Sequence, residues 1–248
     1  MKGAIFILFF FIEILGLGQT HTPKQIVERA NQLNIGKSGR GETEMRIERP
    51  KWSRTVSMKT WSLGTDYYLI YITEPARDKG QVFLKRKTEM WNWMPTVSRM
   101  IKIPSSMMGQ SWMGSDFTND DLVRMNSLVD DYQHTLMGEE KIGGFDCYKI
   151  QLIPNENAAV VWGKLVIWVA KGEFYIMKQE NYDEDLKLVN TLTASDIRQF
   201  GDRKLPARLE LVPADKSLQK TIITTKWQEF DIEIDPSFFS QQNMRSVR

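Results

Sequence analysis

The sequence predicts a mainly β, antiparallel, single-domain protein whose sheet closes or curls. Three observations carry this. From Glu42 onward apolar residues recur with a period of two; short turn signals separate the runs; and about ten such runs follow one another with only two short helical stretches. A flat sheet of that size would expose long unpaired edges, so the strands are expected to close or curl.

The elements follow in chain order. Lys2, an apolar run from Ala4 to Leu15 broken only by Glu13, and the small residues Gly16-Leu17-Gly18 read as a secretory signal peptide over residues 1–18. The run is shorter than the roughly twenty residues of a membrane span, which leaves residues 19–248 as one exported domain. Thr22-Pro23 followed by Ile26, Val27, Ala30 and Leu33 gives a cap, a proline in the first turn and helical spacing. Strands are expected around Met45 and Ile47, Val56 to Thr60, Tyr67 to Ile72, Val82 to Leu84, Met90 to Met94 and Val97 to Ile103. Turns fall at Glu74-Pro75, Asp78-Lys79-Gly80 and Pro95-Thr96. Thr118-Asn119-Asp120-Asp121 resembles a capping box with Asp in place of Glu, and Leu122, Met125 and Leu128 or Val129 continue at helical spacing. Strands resume over Tyr148 to Ile153, Leu165 to Val169, Phe174 to Gln179, Leu186 to Thr193, Leu205 to Val212 and Thr221 to Phe230, with a hairpin turn at Lys171-Gly172.

Composition and motifs exclude most chemistry. With 33 basic and 31 acidic side chains the net charge is +2, too small and too scattered for a nucleic-acid partner; Lys85-Arg86-Lys87 reads as a solvated strand or turn face. The lone Cys147 forbids an internal disulfide and reads as a small half-buried thiol on a strand. Two histidines, His21 and His134, do not suffice for a metal site built from His and Cys. Ser111 with His134 would be the pair for an esterase, but Met113 stands where a nucleophile elbow needs Gly. Asp116, Thr118 and Asp120 have calcium-loop spacing, yet Asp121 replaces the turn Gly and Ser127 the bidentate Glu. Glu139-Glu140 and Asp183-Glu184-Asp185 read as solvated charge in turns. Dinucleotide and P-loop glycine patterns are absent, and no cofactor is expected.

What stands out is soft apolar bulk. Residues 90–113 hold six of the thirteen Met and three of the eight Trp, in strands with apolar residues on both faces. Thioethers and wide aromatic faces suit a cavity that accepts ligands of variable shape. The candidate lining is Tyr68, Ile70, Phe83, Trp91, Trp93, Met100, Met107, Met108, Met113 and Phe117. Assignment to the inner face depends on register, because a one-residue slip inverts it.

Gly39-Arg40-Gly41, Met45-Arg46-Ile47-Glu48-Arg49-Pro50, Trp91-Asn92-Trp93-Met94-Pro95, Ser111 to Phe117 and Asp120-Asp121-Leu122 together resemble the outer-membrane lipoprotein-sorting (LolA-like) family of periplasmic carriers. The resemblance covers nearly all of residues 22–248, and Met113-Gly114-Ser115-Asp116-Phe117 marks a branch of that family. It implies a curled, incomplete antiparallel barrel with short helices as a lid over an apolar cavity that takes acyl chains. In the family an Arg just before a Pro holds the lid by hydrogen bonds to helix backbone; Arg49 before Pro50 matches it. The implied protein is a periplasmic, non-enzymatic carrier of lipoprotein or lipid acyl chains, expected as a monomer. Its implied partner is an inner-membrane ABC-type or RND-type exporter. The competing expectation is a non-carrier module that docks on such an exporter.

Overall fold

The computed structural model describes residues 21–124, 128–158 and 160–248; the expected signal peptide and Met125 lie outside them. Helix α1 (Pro23–Ile35) begins as the spacing predicts. The Thr22 hydroxyl accepts from the Gln25 amide at 3.3 Å and the Gln25 side chain accepts from the Thr22 amide at 2.9 Å, a closed capping box.

Thirteen strands form one antiparallel sheet: β1 (Ser38–Arg49), β2 (Trp52–Leu63), β3 (Tyr67–Glu74), β4 (Val82–Arg86), β5 (Glu89–Met94), β6 (Arg99–Ile103), β7 (Tyr132–Ile142), β8 (Phe145–Pro154), β9 (Lys164–Ala170), β10 (Ile176–Tyr182), β11 (Leu188–Phe200), β12 (Arg203–Pro213) and β13 (Lys220–Phe230). Their order is β6-β5-β4-β3-β2-β1-β13-β12-β11-β10-β9-β8-β7. Two meanders are therefore joined where the first strand pairs with the last. The free edges, β6 and β7, are consecutive in the chain, and residues 104–131 run between them. The incomplete barrel is thus an open sheet whose unpaired edges are linked by that one segment, which carries helix α2 (Asn119–Arg124).

Strand β7 is absent from the sequence expectation, and Glu139 and Glu140 lie within it rather than in a turn. The run from Val97 to Ile103 is split: Pro95–Val97 is a 3-10 turn, Ser98 is left-handed, and pairing starts at Arg99. Phe174 falls in the β9–β10 turn rather than in β10. Of the basic triplet, Arg86 and Lys87 are exposed but Lys85 is buried, its ammonium donating to the Thr65 carbonyl at 2.6 Å. Cys147 is fully rather than half buried, among Trp168, Tyr175 and Phe200, and burial pushes its thiol above the usual range.

One face of the sheet is continuous across both halves. Ile47, Thr221, Leu211, Leu192, Gln179, Ile167 and Ile150 are neighbours in register from β1 through β13 to β8. On the β7–β10 half α1 covers this face, setting Ile26, Val27 and Ala30 against Tyr132, Ile150, Leu165, Ile167 and Val169. On the β1–β5 half the 104–131 segment covers it, setting Trp112 and Leu122 against Met45, Ile47, Val56, Met58, Ile70, Ile72, Phe83 and Met90. The opposite face of β2–β6 is covered by the C-terminal segment, whose Phe239, Met244 and Val247 pack on Leu69, Tyr71, Val82, Leu84 and Trp91.

Candidate functional site

The covered inner face of β1–β5 gathers half of the sequence-predicted lining. Ile70 pairs with Phe83 and Tyr68 with Lys85 across β3 and β4, and Met108 and Met113 pack on the same cluster from above. Phe117 is half-buried in the covering turn, where its carbonyl accepts from the Trp112 amide at 2.7 Å. Met107 is 37% exposed and lies outside that cluster.

Trp91, Trp93 and Met100 are elsewhere. Leu84 pairs with Trp91, Val82 with Trp93, and Trp93 with Met100, which places all three on the face opposite Phe83, beneath the C-terminal segment. Alternation correctly groups them together, but both faces of these strands are buried, so grouping does not say which cover lies above. Met90 and Trp112, from the Met- and Trp-rich stretch 90–113, lie in the same cluster, as do Met45, Met58 and Leu122, which are absent from the expected lining.

Between cover and sheet lies a small cavity lined by Tyr68, Ile70, Phe83, Lys85, Met90 and Leu122. Its volume, swept by the centre of a water-sized sphere, is about 10 Å3, room for about one water. This is a closed arrangement, far smaller than the several hundred Å3 that enclose a small-molecule ligand. Burial raises the Tyr68 hydroxyl pKa above its usual value, opposed in part by a hydrogen bond with Thr60.

The cover is fastened at the end of β1. Arg49 donates to both Asp116 carboxylate oxygens, each at 3.0 Å, and to the Gly114 carbonyl at 3.0 Å. The two side chains are only 12% and 9% exposed, so this bidentate pair is shielded from water and salt. Asp116 also accepts from the Thr221 hydroxyl at 2.7 Å, and the Thr221 oxygen accepts from the Asp116 amide. From β2, Arg54 donates to the Met113 carbonyl. The partners of Arg49 in the cover are thus a carboxylate and one turn carbonyl ahead of α2, not the helix backbone.

The fastened turn carries local costs. Met113 sits at φ +50°, a left-handed conformation unfavourable for a side chain of its size. Arg54 Nε and Trp112 Nε1 are buried without hydrogen-bond partners, each losing solvation that nothing replaces. Asp116, Thr118 and Asp120, which share calcium-loop spacing, are committed to this latch and to helix capping. Asp120 accepts from the Val161 amide, and Thr118 and Asp121 form the expected capping box. The Ser111 hydroxyl donates to the Ser115 carbonyl and His134 Nε2 bonds the Leu128 carbonyl, so the two are engaged separately.

Asp121 joins the cover to the other half of the sheet by accepting from Trp162 Nε1 at 2.9 Å. Burial pushes its carboxyl above the usual range, opposed by its bonds to Thr118 and Trp162. The folded protein thus holds this proton more tightly than the unfolded chain, and the group's contribution to stability falls as pH rises from the ordinary carboxylate range through the raised value. Asp121→Asn should cost about 1 kcal/mol through the weakened cap and remove that declining component, a change readable by thermal melts across pH. An unchanged pH profile would count against a raised Asp121.

Comparison with known proteins places this geometry. Three solved structures share the fold: a DUF1329 family protein from Desulfovibrio piger (24% identity, 90% of this chain and 97% of that one, TM-score 0.82), a protein from Vibrio parahaemolyticus described as an outer membrane lipoprotein-sorting domain (22%, 90% and 98%, 0.80), and a LolA superfamily protein from Nitrosomonas europaea (23%, 90% and 100%, 0.78). At these identities the likeness is one of fold: a LolA-like open barrel with a covered inner face. A family model described as an uncharacterized protein matches residues 64–246, and the chain belongs to that family. No curated protein matches the sequence.

Proposed function

We propose that the protein is a periplasmic carrier that shields acyl chains between the inner face of the sheet and the 104–131 cover, with no covalent chemistry. One observation carries the reading: the apolar inner face of β1–β5 lies under a segment fastened at a turn that holds an unpartnered Trp112 Nε1 and a strained methionine. Burial is worth roughly 0.8 kcal/mol per methylene, so a few chains displacing the cover would bind well. Reclosure of the Arg49 latch would favour release. The fold shared with the lipoprotein-sorting domain and the LolA superfamily protein supports the same reading. Tyr68, Ile70, Phe83, Met108 and Met113 are the proposed contacts, with Arg49 as gate, and an inner-membrane exporter is the proposed donor.

The test is to purify residues 19–248 from bacterial periplasm, extract with organic solvent and quantify acyl ligand per protein by mass spectrometry. A Met108→Asp/Met113→Asp variant, altered at two half-buried cover positions, runs beside it. Near-stoichiometric acyl ligand, lost in the variant while the sheet signal in circular dichroism is kept, is expected. A wild-type protein that is empty and takes up no added acyl lipid overturns the carrier reading.

A further inference from the structure

The two ends of the sheet differ in chemistry. At the end where β1 finishes, the connections carry exposed apolar side chains: Trp52 is 51% exposed, Val97 63%, Leu186 55% and Leu218 79%. They belong to four separate hairpins, β1–β2, β5–β6, β10–β11 and β12–β13, and antiparallel alternation puts all four connections at one end. The connections at the other end are residues 64–66, 87–88, 143–144, 171–175 and 201–202, with Phe174 half-buried and Tyr175 buried. None of them carries an exposed large apolar residue. Singly exposed apolar residues are ordinary, and Met107, Leu136, Met137, Ile153, Leu188 and Trp227 are exposed elsewhere; at the hairpin connections, however, all four such residues lie at one rim and none at the other.

Leu186 adds an independent observation. It sits at φ +61°, where a branched side chain is disfavoured and Gly or Asn is the usual occupant. A leucine held there and pointing into water weakens the turn without adding to a core.

From these observations we infer that this rim is a lipid-docking surface, and that it meets the bilayer by inserting its apolar tips. The tips are single side chains spaced around a rim rather than one contiguous patch. A protein interface needs a continuous, shape-matched apolar core; a fluid interfacial layer accepts separate side chains at one depth, with Trp favoured there. Charge at the tips is mixed: Lys51, Arg99, Lys187 and Lys216 stand among Glu184, Asp185 and Asp215, and Lys187–Asp185 and Lys216–Asp215 are ion pairs. Adhesion by apolar insertion, and not attraction to anionic headgroups, is what such a rim supplies. Among the described residues no helix is long and apolar enough to cross a membrane, so contact would be at the surface.

The direction of cargo transfer rests on the carrier reading: Arg49 is the last residue of β1, so the latch opens at this same rim and acyl chains would pass between bilayer and cavity without crossing water.

The test is sedimentation with vesicles of phosphatidylethanolamine containing a minority of phosphatidylglycerol. Expected are binding that persists in about 0.5 M salt, where surface attraction is screened, and a drop in partitioning of at least about tenfold in Val97→Ser/Leu186→Ser/Leu218→Ser, with an unchanged melt because all three residues are more than half exposed; Trp52 is kept because its ring stacks on Arg49. No sedimentation, equal sedimentation of the variant, or release by salt each overturns the inference. Acyl loading is measured on the same samples. Vesicle binding without loading removes the carrier reading and leaves the rim; loading without vesicle binding does the reverse.

Discussion

Arg49→Leu lowers stability by about 3–5 kcal/mol, the loss that follows when one member of a buried ion pair is removed and the other is left uncompensated. Asp116, 9% exposed, would keep only the Thr221 hydroxyl and its own local contacts, and the Gly114 carbonyl would lose its donor. At roughly 2–4 °C per kcal/mol for a chain of this size, the melt should fall by about 10 °C. Adding Asp116→Asn removes the stranded charge, so the double variant should recover part of the loss and give a coupling energy of about 1–3 kcal/mol in a double-mutant cycle. Arg49→Lys, which cannot make the two-pronged contact, should fall between. A salt titration separates this pair from the exposed ones: Arg40–Glu229 and Lys187–Asp185 are screened, the latch is not. Additive single effects would mean that Arg49 and Asp116 are neighbours without mutual dependence, and the latch would be lost as an account of the cover.

The helix caps, most strands and the curled class are legible in the sequence because they depend on local rules. Thr22 with Gln25, and Thr118 with Asp121, are short-range reciprocal bonds. Alternation in Tyr67 to Ile72 follows from the pleat. What is not legible has a common physical cause: it depends on what lies across the sheet. Strand β7 shows little alternation since it is an edge, with most of its length exposed and a register shift between Leu136 and Gly138. Trp91, Trp93 and Met100 group as one face, but only the covers decide whether that face is inside. The cover that decides it, with Phe238, Phe239, Met244 and Val247 at irregular spacing, carries no periodic signal. Arg49 is found by resemblance to the lipoprotein-sorting family, whereas its carboxylate partner lies 67 positions away and no spacing rule connects them.

The strongest test of that second cover is Phe239→Ala. Phe239 is fully buried, its ring 5.4 Å from those of Tyr67 and Phe238, within a cluster holding Leu69, Leu84 and Trp91, with Trp93 and Met100 packed against it. Truncating it should cost about 3–5 kcal/mol, transfer plus cavity. After Asp231 and Ile232, which bond Ser38, the hydrogen bonds of the 235–248 segment are internal among the described residues, as in Asn243 to the Phe238 carbonyl. Packing, with Arg245 stacked 5.4 Å from the Trp93 ring, is therefore what holds it. Loss of Phe239 should loosen the whole segment, shift Trp emission to the red as Trp91 and Trp93 meet water, and leave acyl loading per folded molecule unchanged, because this face is not the cavity. The opposite pattern, a small stability loss with a large change in loading, would put Trp91, Trp93 and Met100 back among the cargo contacts and mean that the C-terminal segment, not the latched turn, is the moving cover.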